Sequence, residues 1–178
     1  GWSFNEVYIT FKDDITDFSE AFDGCKALTE IPENLFANCP KVNTFFQTFA
    51  FCKSLKSIPT GLFAHNPNVT SFSGTFRNCS TLKSIPENLF ANCPKVTDFS
   101  ETFDGCANLT SIPENLFANC PKVTTFGRHS RAYFSGAFSN CTSLTTIPEK
   151  LFAHNTEVTD FSSTFKNCSA LTGESPYT

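Results

Sequence analysis

Read for its hydrophobic positions, the chain repeats itself. The stretch LTSIPENLFANCPKVTTF, residues 109–126, returns four more times with small changes. Leu28, Leu55, Leu82, Leu109, Leu144 and Leu171 open successive units at spacings of 27, 27, 27, 35 and 27 residues, and Cys25, Cys52, Cys79, Cys106, Cys141 and Cys168 keep the same spacing. Each unit divides into two similar halves, as LTSIPENLFANCPK and VTDFSETFDGCAN show. The halves share a frame of an apolar residue, Thr, a polar or small residue, a second apolar residue and then a short segment that ends near Cys. Cys39, Cys93 and Cys120 hold in the first half the place that the period-27 cysteines hold in the second.

The frame predicts local structure. Leu109 and Ile112, or Val96 and Phe99, with Thr between them, make extended segments of about four residues. Pro32, Pro59, Pro86, Pro113 and Pro148 then suit a first helical position, where the missing N–H has no partner to lose. In the other half Ser19, Ser73, Ser100, Ser135 and Ser162 read as N-caps, with Phe46 departing from the pattern. PENLFAN and SETFDG are accordingly expected to form short helices that turn Leu and Phe inward. Two columns read as left-handed helix ends: Gly24, Asn78, Gly105, Asn140 and Asn167 in one half, and Asn38, His65, Asn92, Asn119 and His154 in the other. Phe51 is the misfit in the first of these columns.

One unit cannot bury its apolar face alone, whereas stacked units can, so the repeat implies a solenoid. Residues 28–170 divide into five full coils, with 1–27 as an N-terminal capping coil and 171–178 as a C-terminal stub, all within a single domain 1–178. Trp2, Phe4, Val7, Ile9 and Phe11 suggest a strand that covers the open end. With strands about 4.8 Å apart the body would be only ~30 Å long.

The elements LTSI, VTDFSETF and GCANL resemble those of the BspA-like leucine-rich-repeat surface proteins of bacteria, from about Ile15 to Leu171. The chain departs from that family in using Phe where many relatives use Met, and in its IPENLFANCP segment. The resemblance implies an α/β solenoid: a right-handed leucine-rich-repeat superhelix of about six 27-residue coils with short parallel strands and short helices. It also implies a place outside the cell, exported or at the cell surface, a role in adhesion or host contact, and no catalytic residues.

Composition narrows the chemistry. The net charge is only −4 and the basic residues are scattered, so neither nucleic acid nor anionic lipid is an expected partner. No run of apolar residues is long enough to span a bilayer. The chain begins at Gly1 and contains no Met, which leads to the expectation that an upstream segment with its export signal has been removed. The cysteines number nine, an odd count, and stand in columns, so they are expected to be reduced and buried, with Cys93 and Cys120 the pair to bridge if any does. Spacing gives no zinc motif, and His65 and His154 are explained as caps in the place of Asn. No cofactor is expected. Asn68, Asn78, Asn108, Asn140 and Asn167 head glycosylation sequons that are by-products of the frame.

A catalytic constellation is unique in a chain, whereas these Ser and Thr recur coil after coil, so an enzyme is not expected. The columns Thr29, Lys56, Lys83, Thr110, Thr145 and Glu33, Thr60, Glu87, Glu114, Glu149 read as solvated faces, and a Thr-rich face leaves ice binding as a remote alternative. One stretch escapes the repeat. Aligning Phe126 with Phe99 and Phe138 with Phe103 leaves eight extra residues, 127–134, which contain Arg128, His129, Arg131 and Tyr133. Insertions in repeat proteins map to loops on one face, and Arg and Tyr suit protein recognition. The bland alternative is a passive loop. The reading is a non-enzymatic, monomeric surface module that binds a host or extracellular-matrix protein, or another surface protein; a spacer without a ligand is the rival.

Overall fold

The computed structural model describes residues 11–127 and 135–172. The coils stack along a spine of parallel bridges, Asp17 to Thr44 to Ser71 to Asp98 to Thr125 to Asp160. Each rung is made by two backbone bonds. Thr70 N–H donates to Asn43 O at 2.8 Å, and Phe45 N–H to Ser71 O at 3.1 Å. The extended part is thus one bridged residue per coil rather than the four expected. The side chain of the rung explains the brevity, because it bends the chain at once: Asp98 Oδ1 accepts the N–H of Ser100 at 2.8 Å, and Thr44, Ser71 and Asp160 do the same two residues downstream. These are Asx and Ser/Thr turns, so the capping side chain stands two residues before the Ser column predicted from sequence. Phe46 fits the frame without a hydroxyl because it supplies only its N–H.

No α-helix forms among the described residues. PENLFAN folds as successive turns, with Leu35 N–H to Pro32 O, Ala37 N–H to Asn34 O and Cys39 N–H to Phe36 O at 3.0–3.1 Å. In the other half the N–H groups alternate. Those of Thr75, Arg77 and Cys79 turn back three residues, while those of Gly74, Phe76 and Asn78 donate to Ser100, Thr102 and Asp104 of the next coil at 2.6–2.9 Å. Segments this short recover too little from helical bonds to offset nucleation, and a neighbouring coil offers acceptors to every second N–H. Two left-handed columns in this half accompany the alternation. Gly24, Asn78, Gly105, Asn140 and Asn167 have φ of 56–72°, as the sequence implied, and Phe51 joins them at 57°. Glu20, Gln47, Gly74, Glu101 and Ser163 form the second left-handed column at 50–65°. The expected left-handed column of the first half is absent: Asn38, His65, Asn92, Asn119 and His154 keep ordinary φ, whereas in the second half the left-handed Asn78 aims its N–H at Asp104 O of the next coil.

Three ladders of Phe fill the core. Phe18, Phe45, Phe72, Phe99, Phe126 and Phe161 stack with ring centroids 5.6–5.8 Å apart. Phe22, Phe49, Phe76, Phe103, Phe138 and Phe165 stack at 5.2–5.7 Å. Phe36, Phe63, Phe90, Phe117 and Phe152 stand between them at 6.0–6.1 Å. Rings of neighbouring ladders meet tilted, as Phe72 and Phe90 do at 4.6 Å and 48°. Leu, Ile and Val columns complete one continuous core. Each fully buried Phe contributes about 1.5–3 kcal/mol of apolar burial.

Candidate functional site

The insertion leaves the solenoid without disturbing it. Phe126, just before it, stacks on Phe99 at 5.7 Å, and Phe138, just after it, stacks on Phe103 at 5.5 Å. Gly127 N–H donates to Thr125 Oγ1 at 3.0 Å, the same turn that Ser100 makes with Asp98. The chain is back in frame at Ala137, whose N–H donates to Phe126 O and whose carbonyl accepts from Phe103, both at 2.8 Å. A Cβ on Gly136 would lie 2.6 Å from the backbone of Thr164, so the return is made where only glycine fits. Arg128, His129, Arg131 and Tyr133 lie outside the described residues.

The cysteines are free, and all but Cys25 are buried. Their columns are packing columns with weak hydrogen bonds along the stack. Cys79 Sγ donates to Phe49 O at 3.2 Å, Cys106 to Phe76 O at 3.3 Å and Cys141 to Phe103 O at 3.3 Å. Cys120 Sγ approaches the Cys93 carbonyl at 3.6 Å and forms no bridge with that residue. Burial pushes the Cys52 thiol up to about 11 and the Cys120 thiol up to about 12, and raises Cys79, Cys93, Cys106 and Cys141 as well. Thiols held protonated in this way are poor nucleophiles.

His65 and His154 are exposed, and the residue that distinguishes their coils follows them. Asn66 and Asn155 take the buried Cys position. Asn66 Nδ2 donates to Phe36 O at 3.2 Å and Cys39 O at 2.9 Å, and Asn155 Nδ2 to Phe117 O at 3.1 Å and Cys120 O at 2.8 Å. Sequence reading missed both. The signal was present in AHN standing where other coils have ANC.

On the outer edge Arg77 pairs with Glu101 and with Asp104, each at 3.2 Å, and Asn140 Nδ2 donates to Asp104 Oδ1 at 2.7 Å. Along the spine Thr70, Thr97, Thr124 and Thr159 direct their hydroxyls to carbonyls of the preceding coil at 3.1–3.4 Å. The Thr column therefore serves the stack. No three His, Cys, Asp or Glu side chains converge as metal ligands among the described residues, and no helix there is long and apolar enough to cross a membrane.

A 27-residue coil with an inward Leu, Ile and Phe frame, a bridged rung and a second-half Cys is the unit that decides the family. The BspA type leucine rich repeat region matches residues 7–124 in six copies. This chain belongs to that family. Among solved structures the BspA-type repeats described here are similar to the leucine-rich repeat domain of APL1B, at 21% identity and a TM-score of 0.46, over 69% of this chain and 33% of that one. They are also similar to a T. pallidum leucine rich repeat protein, at 19% identity and a TM-score of 0.41, over 86% of this chain and 70% of that one. A chain of the Drosophila Toll–Spatzle complex is similar at 20% identity and a TM-score of 0.40, over 79% of this chain and 19% of that one. This chain spans about a third of the APL1B chain it matches. A search of curated proteins finds no match.

Proposed function

We propose that this chain is a non-enzymatic protein-binding module displayed outside a bacterial cell, a single right-handed solenoid domain that acts as a monomer and uses the insertion 127–134 as its contact loop. One observation carries the reading: the two Phe ladders run unbroken past the insertion, with Phe126 and Phe138 both in register. A rigid core on either side of a non-repeated segment is the arrangement by which solenoids present a binding loop. Arg128, Arg131 and Tyr133 are residue types enriched in protein contacts. The family supports a protein-interaction role. Adhesion to a host or matrix component is the form of that role proposed here.

The test compares the intact chain with a deletion of residues 127–134 against immobilised matrix proteins and glycans. Binding by the intact chain that is lost on deletion, with an unchanged melting curve, supports the reading. Equal binding by both proteins moves the contact to a coil face, and no binding by either leaves the chain a spacer.

A further inference from the structure

The second coil breaks its own repeat at one point on the outer edge. Where the other coils have Gly24, Asn78, Gly105, Asn140 and Asn167, it has Phe51, in the same left-handed conformation at φ 57°. Glycine and asparagine tolerate that conformation, while an aromatic residue with a Cβ is strained in it. The side chain does not enter the core in return. Phe51 is 36% exposed on the flank of the stack, whereas Phe161, the other large exposed apolar residue among those described, lies in the last described rung. A strained backbone that leaves an aromatic ring outside the core and partly exposed points to use of the ring itself.

The surroundings fix what the ring would meet. The guanidinium of Arg77, one coil on, lies 5.8 Å from the ring centroid and is held there by Glu101 and Asp104. Phe51 N–H donates to Arg77 O at 2.7 Å, so the two residues move as a unit. Beside them two adjacent columns carry exposed lysines in the first four coils only: Lys26 and Lys53 of the first and second coils in one, Lys56 and Lys83 of the third and fourth in the other. Later coils have Ser80, Ala107 and Thr142, and Thr110 and Thr145, in those places. Asp23 of the first coil and Glu30 of the second mark the acidic border of the patch. Hydrogen bonds between coils tie these segments to their neighbours, since Lys56 N–H donates to Thr29 O at 3.1 Å and the Thr81 hydroxyl to Lys53 O at 3.0 Å.

We infer that this edge is a second recognition surface, separate from the insertion, for an acidic protein segment that carries an apolar or aromatic residue. Phe51 supplies a pre-positioned apolar anchor, and Lys26, Lys53, Lys56 and Lys83 supply positive charge beside it. A single exposed ring on a chain of net charge −4 does not make the track of stacking platforms and cations that nucleic acid needs.

The test titrates the isotope-labelled full chain with an acetylated heptapeptide of Phe between two Glu triplets, at low and at high salt. Controls are the same peptide with Ala for Phe, a Lys-flanked peptide and oligothymidylate. Expected are amide shifts confined to the neighbourhoods of Phe51, Lys53, Lys56 and Lys83, and binding that weakens with salt. Phe51→Asn restores the residue of other coils, so its melting temperature should hold or rise while affinity falls about tenfold. Lys53→Glu with Lys56→Glu should abolish binding. The inference is overturned if the Ala peptide binds as tightly, if Phe51→Asn binds unchanged, if oligothymidylate binds better, or if no acidic peptide binds.

Discussion

The two halves of each coil have similar sequences and are held in different ways. Between the second and third coils the second half is joined by backbone bonds from Phe45, Gln47, Phe49 and Phe51 to Ser71, Ser73, Thr75 and Arg77, with Thr70 N–H returning to Asn43 O. The first half of the same interface has one backbone bond, Lys56 N–H to Thr29 O, and otherwise relies on side chains, with Asn66 Nδ2 on Phe36 O and Cys39 O and Asn68 Nδ2 on Pro40 O. Backbone bonding holds register whatever the side chains are. It therefore lets the second half carry an insertion, a Phe in a left-handed site and a variable outer edge. The first half must keep its register through particular residues, and it is the more regular half in sequence.

The comparison can be broken at the core that both halves share. Truncating Phe90, fully buried between the two other ladders, should cost about 3–5 kcal/mol in chemical denaturation, the largest effect expected of a single change. Next comes the side-chain-held half. Asn66→Ala leaves the Phe36 and Cys39 carbonyls without their donor and should cost about 1–3 kcal/mol, while Asn66→Cys, the residue of neighbouring coils, should recover most of that loss. In the backbone-held half Asp98→Ala removes the turn acceptor of Ser100 and should cost about 1 kcal/mol.

A pH series separates thiol burial from these effects. Folding raises the thiol values above the unfolded 9.0, so the folded state retains protons that the unfolded state releases. Stability from this source is therefore complete below about pH 9 and declines as pH rises from there through the folded values of about 11 and 12 for Cys52 and Cys120. Melting curves in alkaline buffer should show the decline, and a Cys52→Ala, Cys120→Ala protein should show less of it. The smallest effect belongs to the insertion. Its deletion should change stability by under about 1 kcal/mol, because loop closure depends weakly on length and the flanking rungs are already in register.

The repeat and the inward Leu, Ile and Phe positions were legible in the sequence because burial imposes a period. The left-handed sites at Gly24, Asn78, Gly105, Asn140 and Asn167 were legible because residue type reports φ there. Glu20, Gln47, Glu101 and Ser163 are equally left-handed and gave no sign, since their residue types carry no preference for that conformation; Glu20 and Gln47 are held there by bonds to Phe46 O and Ser73 O of the next coil. Pro and Ser pointed to helices that do not form, because a turn and a first helical turn begin with the same residues. Of the candidate sites, the insertion announced itself by length. Phe51 was legible only as a misfit, and its meaning depended on Arg77 one coil away.

Native-state hydrogen exchange tests the central claim, that backbone bonds hold one half of each coil and side chains the other. The account predicts that the amides of Phe72, Gly74, Phe76 and Asn78 exchange only through global unfolding, while those of Lys56 and Thr110, with single bonds of 3.1 and 3.3 Å to the preceding coil, exchange through local opening at lower free energy. Equal protection in the two halves, or stronger protection at Lys56 and Thr110, would contradict it.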